Sequence, residues 1–149
     1  NVDYIVQLEG EDVFRDLCRN ILSGNFPDTK TIKSAVLDTA KLKMPYEYYT
    51  DQDVKNRKIY VEASRGCAFK CQFCLSSLDT GVRSFDIDLF LNQMKELYMR
   101  GVRQFKFIDR TFNLNIKVST RILNFFIELD PLQDFFLHFE VVPDRLPNE

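Results

Sequence analysis

The 149-residue chain is predicted to be an α/β protein whose strands lie parallel and are joined by crossover helices. Three observations carry that reading. From Lys58 onward the pattern runs strand, helix, strand, helix, strand, an order in which each helix returns the chain across a sheet. Within each strand polar and apolar residues alternate, so one face can take helices while the other keeps polar groups. The composition, 45% hydrophobic and 28% charged, is that of a globular chain long enough to bury a core.

The elements follow in order. Residues 2–8 read as a short buried strand and 9–11 as the turn after it. Val13, Leu17, Ile21 and Leu22 recur at helical spacing, and Ser23-Gly24-Asn25 ends that helix. One strand and one helix cannot build a core, so residues 1–24 are expected to be the C-terminal end of a larger domain. The chain also opens without Met, which suggests a fragment of something longer. Residues 25–57 combine weak periodicity, Pro27, Pro45 and the aromatic group Tyr46, Tyr48 and Tyr49, and read as a linker with little regular structure.

Residues 58–149 hold the alternating part. A strand is expected at 59–64, then a helix striped by Ile87, Phe90, Leu91, Met94, Leu97 and Tyr98 and closed by Gly101. A second strand covers 103–109. Asn115 is placed to cap a helix with Leu123, Phe126 and Ile127 inward, stopped near Asp130-Pro131, and a third strand covers 135–142. A net charge of −2 argues against a nucleic-acid surface. No apolar stretch is long enough to span a bilayer and no secretory pattern opens the chain, so a cytoplasmic location is expected.

The alternation has a consequence for function. Tyr60, Glu62 and Ser64 share one face of the first strand; Lys106 opposes Phe105 and Phe107 in the second; His138 and Glu140 oppose Leu137, Phe139 and Val141 in the third. In a parallel barrel with helices outside, Glu62, Lys106, His138 and Glu140 would line the lumen, with Glu62, Lys106 and Glu140 in a charged network. The alternative is a solvated face.

Chemistry concentrates directly after the first strand, in Arg65-Gly66-Cys67-Ala68-Phe69-Lys70-Cys71-Gln72-Phe73-Cys74. Three of the chain's four cysteines fall within eight positions here, too tight for a disulfide framework and suited to metal or redox chemistry. Three thiolates at C-x3-C-x2-C spacing can wrap a [4Fe-4S] cube and leave one iron open to a substrate. Zinc is the alternative, with His138 as fourth ligand, although zinc sites are usually built from paired C-x2-C motifs. Cys18, beside Leu17, Ile21 and Leu22, reads as a small buried hydrophobe.

A C-x3-C-x-aromatic-C motif at the end of a first barrel strand resembles the radical SAM superfamily. The resemblance implies Cys67, Cys71 and Cys74 as ligands of a [4Fe-4S] cluster, with S-adenosylmethionine on its open iron and Phe73 beside the adenine. Residues 2–6 with 9–11, and 59–74, 107–113 and 139–144, further resemble the branch with a cobalamin-binding domain ahead of the barrel. Two departures stand out: Ala68 replaces a common proline, and Asp109-Arg110-Thr111 occupies the place of the Gly-Gly-Glu that holds the amino group of S-adenosylmethionine.

On this resemblance, residues 1–24 end a Rossmann-like cobalamin domain, 25–57 link, and 58–149 supply the first three strands of a radical SAM barrel. Glu62, Lys106, Asp109 and Glu140 join Phe73 as candidate cofactor contacts. The implied activity is generation of a 5′-deoxyadenosyl radical for cobalamin-associated methyl transfer or oxidative cyclisation of a small molecule. A reductase, flavodoxin or ferredoxin would donate the electron, and self-association is expected along the exposed edge of the third strand. A zinc module and an iron-sulfur electron carrier are the rival classes.

Overall fold

The structure, a computed structural model, describes residues 2–78, 81–132 and 134–145. It comprises two compact units, Asn1–Leu42 and Lys43–Glu149, and among the described residues no helix is long and apolar enough to cross a membrane.

The first unit is a β-α-β element. Strand β1 (Ile5–Gln7) leads into helix α1 (Glu11–Leu22), and β2 (Thr31–Lys33) returns parallel to β1 with Val6 opposite Ile32. Helix α1 carries Glu11 and Asp12 in its first turn and Arg19 in its last, the distribution that suits its dipole. It stops where Gly24 turns left-handed (φ 78°), the amides of Gly24 and Asn25 reaching back to the carbonyls of Ile21 and Asn20. The segment expected to be an unstructured linker therefore contributes β2 to this unit. Thr31-Ile32-Lys33 buries only part of one apolar side chain, too little pattern to announce a strand.

The rest of that segment is also ordered. Residues 45–48 form a 3-10 turn, and helix α2 (Asp51–Asn56) starts with a capping box. There the Thr50 hydroxyl accepts from the Asp53 amide and the Asp53 carboxylate accepts from the Thr50 amide.

The second unit is built on β3 (Ile59–Val61), β6 (Gln104–Phe107) and β7 (Phe136–His138), an open, all-parallel sheet in the order β3-β6-β7. Helices α3 (Ile87–Met99) and α4 (Ile116–Leu129) make the crossovers. Ile59, Val61, Phe105 and Phe107 are buried with Phe90 and Met94 of α3 and Ile122 and Phe126 of α4. Edge-on rings knit this core: Phe105 to Phe126 at 5.1 Å and Phe107 to Phe112 at 5.2 Å between centroids. The Asn115 side chain caps α4 as the sequence places it, accepting from the Val118 amide, and the Asp86 carboxylate caps α3 by accepting from the Leu89 amide. On α4, however, Ser119, Ile122 and Phe126 face inward, whereas Leu123 and Ile127 are exposed. The run Ile-Leu-Asn-Phe-Phe-Ile is apolar around most of the helix, so two stripes compete and packing decides.

The outer edge of β3 is closed by tyrosines. In a parallel ladder alternate residues bond to one neighbour, leaving Tyr60 and Glu62 to point their backbone groups away from β6. The Tyr49 hydroxyl donates to the Tyr60 carbonyl at 3.1 Å. The Tyr46 hydroxyl accepts from the Glu62 amide at 2.9 Å and donates to its carbonyl at 3.3 Å. Burial pushes the Tyr46 phenol well above its ordinary range, so it stays a donor at any physiological pH. Tyr46→Phe is expected to destabilise the unit by about 1–3 kcal/mol, because the part-buried Glu62 amide loses its partner while the ring remains. Urea unfolding checks this, with Tyr48→Phe, at an exposed ring, within about 0.5 kcal/mol of wild type.

Candidate functional site

The cysteine loop leaves the carboxyl end of β3, the side of a parallel sheet where ligand sites gather. Its stem is a two-residue clasp: β4 (Ser64–Arg65) pairs antiparallel with β5 (Arg83–Ser84). At the root of the clasp lies Gly66, with φ 97°; a Cβ there would stand 2.0 Å from the Gly81 carbonyl oxygen. The close approach of the Gly81 carbonyl is what requires a glycine here.

Asp109, two residues beyond β6, holds the stem from below. It is 2% exposed. One carboxylate oxygen accepts from the Ala63 amide at 3.1 Å and the other from the Ser64 hydroxyl at 2.6 Å. Burial pushes its carboxyl above the ordinary range, and the bonds from Ser64 and Ala63 work against that rise. Asp109, a candidate cofactor contact in the sequence, is here a buried anchor of the loop's stem. Both oxygens are engaged inside the protein, and its work is to fix where β3 ends and the loop begins.

Within the loop the thiols differ. Cys67 is 8% exposed, with its sulfur accepting from the Phe69 amide at 3.4 Å and the Thr111 hydroxyl 3.9 Å away. Cys71 and Cys74 are exposed and occupy one turn, the Cys74 amide donating to the Cys71 carbonyl at 3.2 Å. The Lys70 ammonium donates to the Ser77 carbonyl at 2.8 Å across the same turn. Phe73 is 95% exposed at the tip. All three thiols are free, but among the described residues no three Cys, His, Asp or Glu side chains converge on a point where a metal could sit. The donor chemistry suits an iron-sulfur cluster: three soft thiols on one clasped loop, one already receiving an amide hydrogen bond of the kind that tunes cluster sulfurs.

The remaining candidates divide between loop and sheet. Glu62 is half-buried and grips Arg65 in a bidentate pair at 3.0 and 2.8 Å, with the Arg65 guanidinium over the Phe85 ring. Lys106 is half-buried over the Tyr60 ring instead. Glu140 is exposed; its carbonyl accepts from the Phe112 amide at 2.8 Å. The charged network expected among Glu62, Lys106 and Glu140 does not form, because Arg65, three residues away, captures Glu62 locally. His138 lies in register with Lys106, three residues short of Asp109. At about 3.3 Å per residue that is about 10 Å down the sheet from the loop's root.

Sequence reasoning missed Ser64, Thr111 and Asn113. Asn113 brackets Val142, accepting from its amide at 2.9 Å and donating to its carbonyl at 2.8 Å, which pins the chain after β7. The polar run around Asp109 was the available signal, but the partners lie tens of residues away.

Two outcomes test this geometry. Gly66→Ala should open the clasp, seen as limited proteolysis within residues 66–82 faster than in wild type. Asp109 has a carboxyl pKa raised by folding, so it favours the fold below the ordinary value of 3.8 and loses that contribution as pH rises through the folded value. Urea midpoints of wild type relative to Asp109→Asn should therefore fall as pH is raised from acid toward neutral; a pH-independent difference would contradict the burial argument.

No protein-family model matches the chain. A stretch of 69 residues is 39% identical to an uncharacterized methyltransferase of Pyrococcus horikoshii, a match that covers 42% of this chain and 15% of that protein. The chain is thus similar, over less than half of its own length and a small part of the relative's, to a protein described as a methyltransferase.

Proposed function

We propose that this chain is part of a radical SAM enzyme, with Cys67, Cys71 and Cys74 as the ligands of a [4Fe-4S] cluster. The observation that supports it most is the C-x3-C-x2-C loop with three free thiols, clasped at the carboxyl end of the first strand of a parallel sheet. On this reading the sheet is the opening part of a barrel and the β1-α1-β2 unit belongs to a Rossmann-like domain that would carry cobalamin. The description of the Pyrococcus relative favours methyl transfer over oxidative cyclisation.

When bound, such a cluster supplies the electron that cleaves the sulfonium of S-adenosylmethionine to a 5′-deoxyadenosyl radical, drawn from a flavodoxin, ferredoxin or reductase. The chain's own residues do the positioning. Asp109 and the β4–β5 clasp set the loop's root, and the Phe69 amide meets the Cys67 sulfur. Phe73, exposed at the tip, offers a ring face to the adenine. His138 stands too far down the sheet to serve as a fourth ligand, which disfavours the zinc alternative.

Anaerobic reconstitution should load about four irons per chain. Cys67→Ala, Cys71→Ala and Cys74→Ala should each abolish loading, and Cys18→Ala should leave it unchanged. Full iron content in Cys71→Ala would overturn the ligand assignment. A loaded cluster that, reduced by dithionite, releases no 5′-deoxyadenosine from S-adenosylmethionine would instead identify an electron carrier.

A further inference from the structure

The face of the β3-β6-β7 sheet turned away from α3 and α4 carries positive charge without matching carboxylates. Parallel register sets Tyr60, Lys106 and His138 side by side across the three strands. The Lys106 ammonium lies 5.5 Å from the centroid of the Tyr60 ring, and Lys58, just before β3, lies 5.4 Å from that of Phe136. Among the described residues neither lysine has a carboxylate within 4.0 Å. Glu62, on the same face, is committed to Arg65, and Glu140, two residues past His138, makes no ion pair with Lys106.

Lys106 is half-buried, and a ring face returns to its ammonium only a small part of what full hydration would give. An anion with several acceptor oxygens would return more, since charge-assisted hydrogen bonds are the strong ones. His138 adds a second donor beside Lys106, because even the neutral imidazole carries one N–H. The rings of Tyr60 and Phe136, both half exposed, border the spot with flat apolar surface.

We infer that this row is a subsite for an oxyanion, the carboxylate or phosphate of a small molecule, held between Lys106 and His138 and bordered by the Tyr60 ring. The assignment goes beyond the cysteine loop and does not depend on its chemistry. Because Lys106 precedes Asp109 by three residues, a molecule anchored there reaches the root of the loop only if it extends about 10 Å along the sheet.

His138 is the chain's one histidine, so its imidazole gives a single, unambiguous resonance. The experiment follows that resonance in the 149-residue chain during titration with sodium phosphate and, separately, sodium acetate, with ionic strength held by chloride. Wild type should show a saturable displacement with at least one anion. Saturation by phosphate alone, acetate alone or both identifies which oxyanion the subsite takes. Lys106→Met should weaken that binding at least about tenfold, while Lys95→Met, at an exposed position of α3, should not alter it. A displacement that only grows linearly in wild type, or one unchanged in Lys106→Met, overturns the assignment. Wild-type saturation stands as a test by itself even if the variant fails to fold.

Discussion

Asp109 presents a carboxylate almost wholly withdrawn from water at the end of β6, and such a group is costly unless its oxygens are matched. They are matched by the second and third residues beyond β3, through the Ala63 amide and the Ser64 hydroxyl. The arrangement is therefore a constraint in both directions. β6 must reach Asp109 in register with β3, and β3 must end where the carboxylate waits. The β4–β5 clasp then begins at Ser64, Gly66 turns left-handed beneath Gly81, and Cys67 is delivered to the buried side of the loop beside Thr111. Loosening the carboxylate would free the strand end and with it every position from Ser64 to Cys67.

The two faces of the sheet obey different rules, and that difference is legible in three residues. Phe105-Lys106-Phe107 alternates so plainly that the helix-covered face, the opposite polar face and the place of Lys106 all follow from it. The cysteine loop is legible from spacing alone, and helix ends from Gly24, Gly101 and Asn115, because these are local signals. What stays hidden depends on contacts between residues far apart in sequence. Tyr46 and Glu62 are separated by 16 residues and Asp109 and Ala63 by 46, and no periodicity joins them. The tyrosines of the supposed linker thus look like loop decoration until the edge of β3 is seen to need hydrogen-bond partners.

β2 is hidden for another reason. A strand of Thr-Ile-Lys with one half-buried residue has almost no burial pattern of its own, and it exists through its ladder with β1. Its pairing extends the first unit to Leu42, well past the helix stop at Gly24. Short parallel strands joined by a helix are stabilised chiefly by what covers them. In this unit Leu17 is the buried hydrophobic residue, while Phe14, Leu22 and Phe26 stand exposed.

The sorting of charge in the second unit follows from distance along the chain. Glu62 had two cationic partners available in principle, Arg65 three residues away on the loop stem and Lys106 across the ladder. The near one wins because a planar guanidinium meets a carboxylate with two parallel hydrogen bonds, which a single ammonium cannot do. Arg65 gains further from the Phe85 ring, which holds it in place. Lys106 is left with an aromatic face, a partner that tolerates an ammonium without neutralising it. The same local pairing that steadies the stem of the cysteine loop thus leaves the middle of the sheet positively charged, and the two features are one consequence of where Arg65 sits.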